Sequence, residues 1–114
     1  MKIYLRFVNL AHALEDEFVR THLIDLRGLK LLETISIHHS QERSLKVTDL
    51  MTLTQFGSPA AIHKSLRLLR DSGLVLDFHK LKDRRAKYLC SSEIANSHYS
   101  KLGAVLMESV REAS

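Results

Sequence analysis

The chain has 114 residues, of which 45% are hydrophobic, and it carries a formal net charge of +4. This length and composition favour a single domain, residues 1–114, that buries its own core. No apolar run approaches the roughly 18 residues that a membrane-spanning helix needs, and no small-residue cleavage site follows the apolar N-terminus. We therefore expect a soluble cytoplasmic protein, in which the lone Cys90 forms no intrachain disulfide.

The surplus of positive charge is concentrated in one stretch of the chain. Residues 58–90 contain eight Lys and Arg side chains against three Asp, a local balance of +5. The balances of residues 1–25, 26–57 and 91–114 are −1, +1 and −1. A basic surplus confined to one stretch is typical of a module that contacts nucleic acid.

The first two elements are predicted to be helices. In residues 1–22 apolar side chains recur at steps of three or four, and the stripe consists of Ile3, Phe7, Leu10, Leu14 and Phe18. Because this apolar band is wide, the helix either caps the monomer core or contributes to a dimer interface. Asp25 is predicted to cap a second helix that runs to about His39, which Gly28 weakens by about 1 kcal/mol relative to Ala. The predicted buried residues of this helix are Leu26, Leu29, Leu31, Leu32 and Ile35.

A helix-turn-helix pattern follows these two helices. Residues 40–44 are polar and predict a loop, and residues 45–47 form at most a very short strand. Thr48 is predicted to cap a brief helix over residues 49–53, and residues 54–57 form the turn after it. A short helix, a turn of about four residues and a second helix with a basic outer face have the spacing of a helix-turn-helix.

The second helix of this pattern, residues 59–72, has both of its ends marked in the sequence. Ser58 is a favourable N-cap, and Pro59 suits the first helical position because its missing N–H is not needed there. Gly73 can take the positive φ that ends a helix without strain. The apolar face of the helix consists of Ile62, Leu66 and Leu69. The basic face consists of His63, Lys64, Arg67 and Arg70.

A basic hairpin and a last helix complete the predicted fold. Residues 74–80 and 86–90 are β-prone and are separated by a charged loop, residues 81–85. Such a hairpin, directly after a DNA-recognition helix, is the wing of a winged helix. Ser91 or Ser92 is predicted to cap a final helix that begins at Glu93 and ends near Arg111. Its apolar side consists of Ala95, Tyr99, Leu102, Leu106 and Val110.

The order of these elements and the string DSGLVLDFHKLKDRRAKYL resemble the MarR family of bacterial winged-helix transcriptional regulators, in a short variant. The likeness covers most of the chain, from the first helix to the start of the last. Its most specific part is the wing sequence Asp83-Arg84-Arg85, which matches the D-x-R motif of the family. Cys90-Ser91 stands where the family usually has Leu-Thr.

The resemblance implies roles for individual residues. Arg85 would enter the minor groove, while Asp83 would hold the wing arginine or the neighbouring backbone in position. The residues that would face the major groove are Ser58, Ala60, Ala61, His63, Lys64 and Arg67. The resemblance also implies a homodimer, for which residues 1–22 and 93–112 are the candidate helices, flanking a winged-helix core over residues 25–90.

Other chemistries have weaker support in the sequence. The adjacent His38 and His39 point about 100° apart on a helix and lack a third ligand at a recognisable spacing, so a helix-end role is favoured over metal binding. Cys90 is either a redox sensor or, as we favour, a small buried hydrophobic residue. No phosphate loop, HExxH motif or nucleophile with a recognisable base is present, which predicts a protein that is not an enzyme and has no cofactor or metal.

The sequence therefore predicts a mainly α winged helix-turn-helix protein with a small β-wing, acting as a sequence-specific regulator that binds double-stranded DNA. It would read a palindromic operator as a homodimer, with half-sites about 10 base pairs apart. The alternative is a winged-helix adaptor that uses its basic face to bind an acidic protein. A small-molecule effector stays open as a partner, although nothing in the pattern supports one. The predicted DNA-binding residues are Ser58, Ala60, Ala61, His63, Lys64, Arg67, Arg70, Lys82, Asp83, Arg84 and Arg85.

Overall fold

The fold is mainly helical, with one small antiparallel sheet near the middle of the chain. The computed structural model describes residues 2–113, so that Met1 and Ser114, at the ends of the predicted domain, lie outside the described residues. None of the helices in the described range is long and apolar enough to cross a membrane. The elements are α1 Ile3–His22, α2 Leu26–Ser40, α3 Val47–Leu50, a 3₁₀ turn Thr54–Phe56, α4 Pro59–Asp71, β1 Val75–Lys80, β2 Asp83–Ser91 and α5 Glu93–Ala113. The predicted fold class is confirmed.

The hydrophobic core lies where α2, α4 and the base of the sheet meet. Its fully buried side chains include Leu31, Leu32, Ile35, Leu50, Ile62, Leu69, Leu74 and Leu89. The predicted apolar face of α4 is confirmed, whereas the predicted burial of Leu26 is wrong, since this side chain is 67% exposed. Leu26 precedes Ile35 by nine residues and therefore lies about 180° from it on a helix that turns by roughly 100° per residue. It cannot share the buried face that Ile35 occupies.

The Asp25 carboxylate joins α2 to α4. As predicted, Asp25 caps α2, and its Oδ1 accepts a hydrogen bond of 2.6 Å from the backbone N–H of Gly28. Both carboxylate oxygens also accept from the hydroxyl of Ser65, at 3.0 and 2.9 Å, and Ser65 is fully buried on α4. The structure also explains why glycine occupies position 28 within this helix. A Cβ at this position would lie 2.9 Å from Asp25 Oδ1, which is too close.

The start of α3 differs from the prediction. The helix begins at Val47, and its N-cap is Lys46 rather than Thr48. The Asp49 carboxylate accepts a hydrogen bond of 2.8 Å from the backbone N–H of Lys46, which fixes the helix start earlier in the chain. Of the predicted short strand, only an isolated bridge between Lys46 and Tyr88 is present, beside a hydrogen bond from the N–H of Leu89 to the carbonyl of Leu45.

The wing also differs from the prediction, because its strands are longer and its turn is shorter. β1 and β2 pair in antiparallel register from Val75 opposite Ser91 to Lys80 opposite Asp83, with a bulge between Phe78 and Lys80. Two residues, 81 and 82, therefore connect the strands instead of five. The motif residues 83–85 lie on β2 and not in a loop. Charged side chains tolerate this position because they are exposed to solvent there.

The two long helices, α1 and α5, pack against each other. Ser92 is the cap of α5, since its hydroxyl accepts a hydrogen bond of 3.4 Å from the N–H of Ala95. Near the N-terminal end of α5, the ring of His98 stacks on that of Phe18 at a centroid distance of 3.9 Å. At the opposite end, Arg6 forms an ion pair with Glu112.

We expect the replacement Asp25→Ala to destabilise the protein by about 2–4 kcal/mol, because it removes a helix cap and leaves the buried Ser65 hydroxyl without its charged acceptor. Asp25→Asn retains one acceptor oxygen, so its free energy of unfolding should decrease less. Urea unfolding followed by circular dichroism measures both values. Equal stability of the Asp25→Ala variant and the wild type would contradict this role.

Candidate nucleic-acid interface

The N-terminal part of α4 presents its predicted site residues to solvent. The Ser58 hydroxyl accepts a hydrogen bond of 3.3 Å from the N–H of Ala61, as expected of the N-cap. Ala61 is half-buried, while the other site residues of this helix are exposed; these are Ser58, Ala60, His63, Lys64, Arg67 and Arg70. The opposite face of α4 forms part of the core and holds the helix in place. The basic side chains therefore extend into solvent from a fixed backbone.

Arg27 braces the turn that precedes this helix, a contact that sequence reasoning missed. Its Nε donates a hydrogen bond of 2.7 Å to the carbonyl of Phe56, at the end of the 3₁₀ turn. The adjacent Gly57 has a φ of +114°, and a Cβ there would lie 3.3 Å from the same Nε atom. Arg27 and Phe56 are 29 residues apart, so no local pattern could reveal their contact. The contact fixes the backbone from which α4 starts.

An ion pair connects the C-terminal end of α4 to the wing. The Arg70 guanidinium donates a hydrogen bond of 2.9 Å to the Asp77 carboxylate on β1. Arg70 was predicted to contact DNA, and here it has a partner within the chain. Since both side chains are about one-third exposed, the pair contributes little to stability. It does relate the orientation of the wing to that of α4.

Two hydrogen bonds organise the far end of the wing around Ala86. The Asp83 carboxylate accepts a hydrogen bond of 3.4 Å from the N–H of Ala86, so it contacts the neighbouring backbone rather than a wing arginine. The Nδ1 of His79, at the bulge of β1, lies 3.0 Å from the Ala86 carbonyl oxygen, which accepts a hydrogen bond from it. Lys80 Nζ lies 4.3 Å from the centre of the Tyr88 ring, a cation–π geometry. Sequence reasoning did not anticipate His79 or Tyr88.

The exposed cations of the wing have no such internal partners in the hydrogen bonds and ion pairs of the described residues. Lys82, Arg84 and Arg85 are all exposed. Their positive charge adds to that of α4, and the Arg70–Asp77 pair joins the two elements. We call the exposed cations of α4 and the wing, taken together, the basic face.

A separate cleft lies between α1 and α5. It measures about 440 Å³ and is lined on α1 by residues that include Glu17, Phe18 and His22, and on α5 by residues that include Glu93, His98 and Lys101. His98 is 5% exposed, and its Nε2 is buried without a hydrogen-bond partner among the described residues. Burial lowers the pKa of His98, and the nearby charges of Lys101 and His22 lower it further.

The side chains considered for metal or redox chemistry have ordinary contacts. His38 Nδ1 lies 2.9 Å from the carbonyl of Thr34, and His39 Nδ1 lies 2.8 Å from the hydroxyl of Ser44. Across residues 2–113, no cluster of three or more His, Cys, Asp or Glu side chains could hold a metal ion. Cys90 is half-buried, and its pKa is raised by burial and by the Asp77 carboxylate, which disfavours the reactive thiolate.

Solved structures of bacterial regulators share this architecture. The MepR–DNA complex of S. aureus has 15% sequence identity and a TM-score of 0.65, covering 92% of this chain and 82% of that one. The YusO protein of Bacillus subtilis has 18% identity and a TM-score of 0.54, covering 97% and 77%. The adhesin competence repressor AdcR of Streptococcus pyogenes has 18% identity and a TM-score of 0.55, covering 99% and 80%. These structures are of MarR-family transcriptional regulators.

The chain has the MarR fold. Its winged helix and both long helices are included in this likeness, which confirms the architecture predicted from the sequence. No protein-family model and no curated protein matches the chain. In this fold α4 is the second helix of the helix-turn-helix, and β1 and β2 form the wing.

We expect the junction of α1 and α5 in this MarR fold to weaken in acid. Because the folded-state pKa of His98 is below its ordinary value of 6.5, the unfolded chain takes up a proton first. The contribution of His98 to stability is therefore present above about pH 6.5 and falls as the pH drops through that value.

The variant His98→Phe keeps a ring stacked on Phe18 but does not titrate. Its free energy of unfolding should fall less than that of the wild type between about pH 7.5 and about pH 5.5. Chemical denaturation of both proteins at the two pH values measures the difference. Identical pH dependence in the two proteins would disprove this assignment.

Proposed function

We propose that this chain is a MarR-family transcriptional regulator that binds double-stranded DNA sequence-specifically as a homodimer. The observation that carries the proposal is the basic face, whose exposed cations lie on α4 and on the wing, two elements that the Arg70–Asp77 ion pair joins. The MarR fold supports it further, and one of the similar structures is a complex of MepR with DNA.

In this proposal α4 reads the major groove. His63, Lys64 and Arg67 project from the exposed side of the helix. The free N–H groups of the first turn favour a phosphate nearby. Arg67 suits a bidentate contact with guanine, which discriminates against other bases by about 1–3 kcal/mol. The small side chains of Ala60 and Ala61 let the start of the helix approach the base edges closely.

The wing supplies the second contact. Lys82, Arg84 and Arg85 lie beyond the well-packed base of the hairpin, where they can follow the phosphates and enter the minor groove. A narrow minor groove has an enhanced negative potential that attracts arginine. Asp83 and Arg70 act differently, because each is held by a group of the chain itself, and we assign them the role of orienting the wing.

The homodimer is supported by the apolar surface of the long helices. In α1 only Ala11 and Phe18 are buried, so most of the predicted stripe is not used by the monomer core. The exposed large hydrophobic side chains of this pair are Ile3, Tyr4, Leu5, Leu10, Ile94, Leu106, Met107 and Val110, and all but Ile94 lie in the N-terminal half of α1 or the C-terminal half of α5. A concentration of exposed apolar side chains is typical of a protein interface. Two-fold symmetry would then place two recognition helices on successive major grooves.

For DNA binding, we expect selection from a random duplex pool to enrich a palindromic sequence, which then serves as the probe. Arg67→Ala should weaken binding to it by about 1–3 kcal/mol and relax the preference at one position of each half-site. Arg85→Ala should weaken binding to all duplexes and reduce the slope of log affinity against log salt by about 1 per wing. Titrations by fluorescence anisotropy at several salt concentrations measure these changes.

Lys101→Ala is the matched control, because it removes one exposed positive charge from α5, outside the basic face. Its affinity should remain close to that of the wild type. Absence of binding at low salt, or equal losses in all three variants, would overturn the proposal. Retention of an acidic protein without any DNA would instead favour the adaptor alternative.

For the dimer, we expect sedimentation equilibrium to give twice the chain mass of 13.0 kDa. Leu5→Glu introduces a charge at a 55% exposed apolar position of α1 and should give 13.0 kDa, since an unpaired charge opposes burial. Ile37→Glu, at a 48% exposed position of α2, should leave the dimer intact. A wild-type chain that sediments as a monomer at micromolar concentration would contradict the dimer.

A further inference from the structure

We propose that Leu81, at the tip of the wing, is an apolar wedge that enters the minor groove and kinks the DNA at a flexible base step. This inference rests on the proposed function and adds a residue that neither the motif nor the charge pattern indicates. Leu81 is 88% exposed, a larger fraction than that of any other large hydrophobic side chain among the exposed ones of the described residues.

Leu81 lies in the turn at the tip of the wing, where it is accessible to a binding partner. Lys80 and Asp83 are the last paired residues of the hairpin, so that Leu81 and Lys82 alone form the turn. The other end of the hairpin is anchored in the core through Val75 and Leu89. The Leu81 side chain is thus carried at the end of the hairpin farthest from the core.

Two hydrogen bonds and one cation–π contact hold the tip of the wing in a defined conformation. The Ala86 backbone is bound on one side by the His79 ring and on the other by the Asp83 carboxylate. Lys80 lies over the Tyr88 ring, which also restrains the strand before the turn. A bulge such as the one at His79 increases local twist and redirects the residues beyond it. The leucine is therefore presented by an ordered support, which lowers the entropy lost on binding.

The surroundings of Leu81 identify its partner. Residues 80–85 contain four Lys or Arg side chains and one Asp. A partner that accepts one apolar side chain within a cluster of cations has an anionic rim and an apolar interior. The minor groove of DNA fits this description, since phosphates line both its edges and a leucine can insert between its base pairs. Pyrimidine–purine steps are the easiest to unstack, so the wedge should favour them.

Two opposing contributions to the binding free energy determine which measurement detects the insertion of Leu81. Burying a leucine side chain between base pairs favours binding. Unstacking the base step opposes binding by a free energy of similar size. The two effects largely cancel in affinity, and the neighbouring cations are unchanged when Leu81 is replaced. The bend of the DNA, and not the dissociation constant, is therefore the sensitive measurement.

The experiment uses the duplex enriched by selection, labelled at both ends for energy transfer and carrying 2-aminopurine at the pyrimidine–purine step where the wing is expected. Wild-type protein should shorten the end-to-end distance, as expected for a kink of roughly 20–90°. It should also raise the 2-aminopurine fluorescence, which reports unstacking. Leu81→Met keeps an apolar wedge and should do both.

Leu81→Ala should abolish the distance change and the fluorescence rise, while its dissociation constant changes by less than about tenfold and its salt slope stays the same. Leu76→Ala is the matched control, because Leu76 is also exposed on the wing, at 51%, but lies away from the tip. This variant should behave as the wild type does. Circular dichroism and urea unfolding verify that each variant is folded.

The outcomes separate this inference from the function on which it rests. Salt-dependent binding with equal bending by the wild type and Leu81→Ala overturns the wedge and leaves the regulator intact. Binding of the wild type without any bend of the DNA also overturns the wedge and leaves the regulator intact. Failure of the wild type to bind any duplex at low salt overturns both proposals. Binding to anionic lipid vesicles in place of DNA, lost in Leu81→Ala, would assign the tip to a membrane surface and overturn the wedge.

Discussion

The fold depends on one carboxylate that serves two helices. Asp25 accepts hydrogen bonds from the Gly28 backbone at the start of α2 and from the Ser65 hydroxyl on the buried face of α4. It therefore helps to fix the position of α4 relative to α2 by a charge-assisted contact, which is directional and stronger than a hydrogen bond between neutral groups. The surrounding leucines fill the space that this contact defines. The position of α4 is thus determined by its buried face, which leaves its basic face exposed to solvent.

The same arrangement continues from α4 into the wing. The core anchors the base of the hairpin, Arg70 and Asp77 link its side to α4, and contacts at Ala86 shape its tip. None of these polar contacts is strong by itself, because each is at least partly exposed to water. Their combined effect is geometric: they restrict how the cations of the wing lie relative to those of α4. A preorganised charge pattern loses less entropy on binding than a flexible one.

The long helices have a different physical character from the winged-helix core. α1 buries few of its apolar side chains within the monomer, and the exposed ones continue onto the C-terminal part of α5. Near the other end of the pair, the stacked rings of Phe18 and His98 close the junction beside a cleft. Burial of the His98 ring, whose Nε2 has no hydrogen-bond partner among the described residues, favours its neutral form and lowers its pKa. The junction that links the candidate dimer helices to the core is therefore sensitive to charge.

The sequence by itself determined the elements whose signals are local. Ser58, Pro59 and Gly73 delimit α4 correctly, and Asp25 caps α2 as predicted, because caps and breakers act within one helical turn. Local signals failed where contacts with residues distant in the sequence determine the structure. The motif residues 83–85 belong to a strand because β2 pairs with β1. The separation of 40 positions between Asp25 and Ser65 hid the contact that positions α4. Only the tertiary structure could bring these groups together, since hydrogen-bond partners far apart in the chain leave no periodic trace in it.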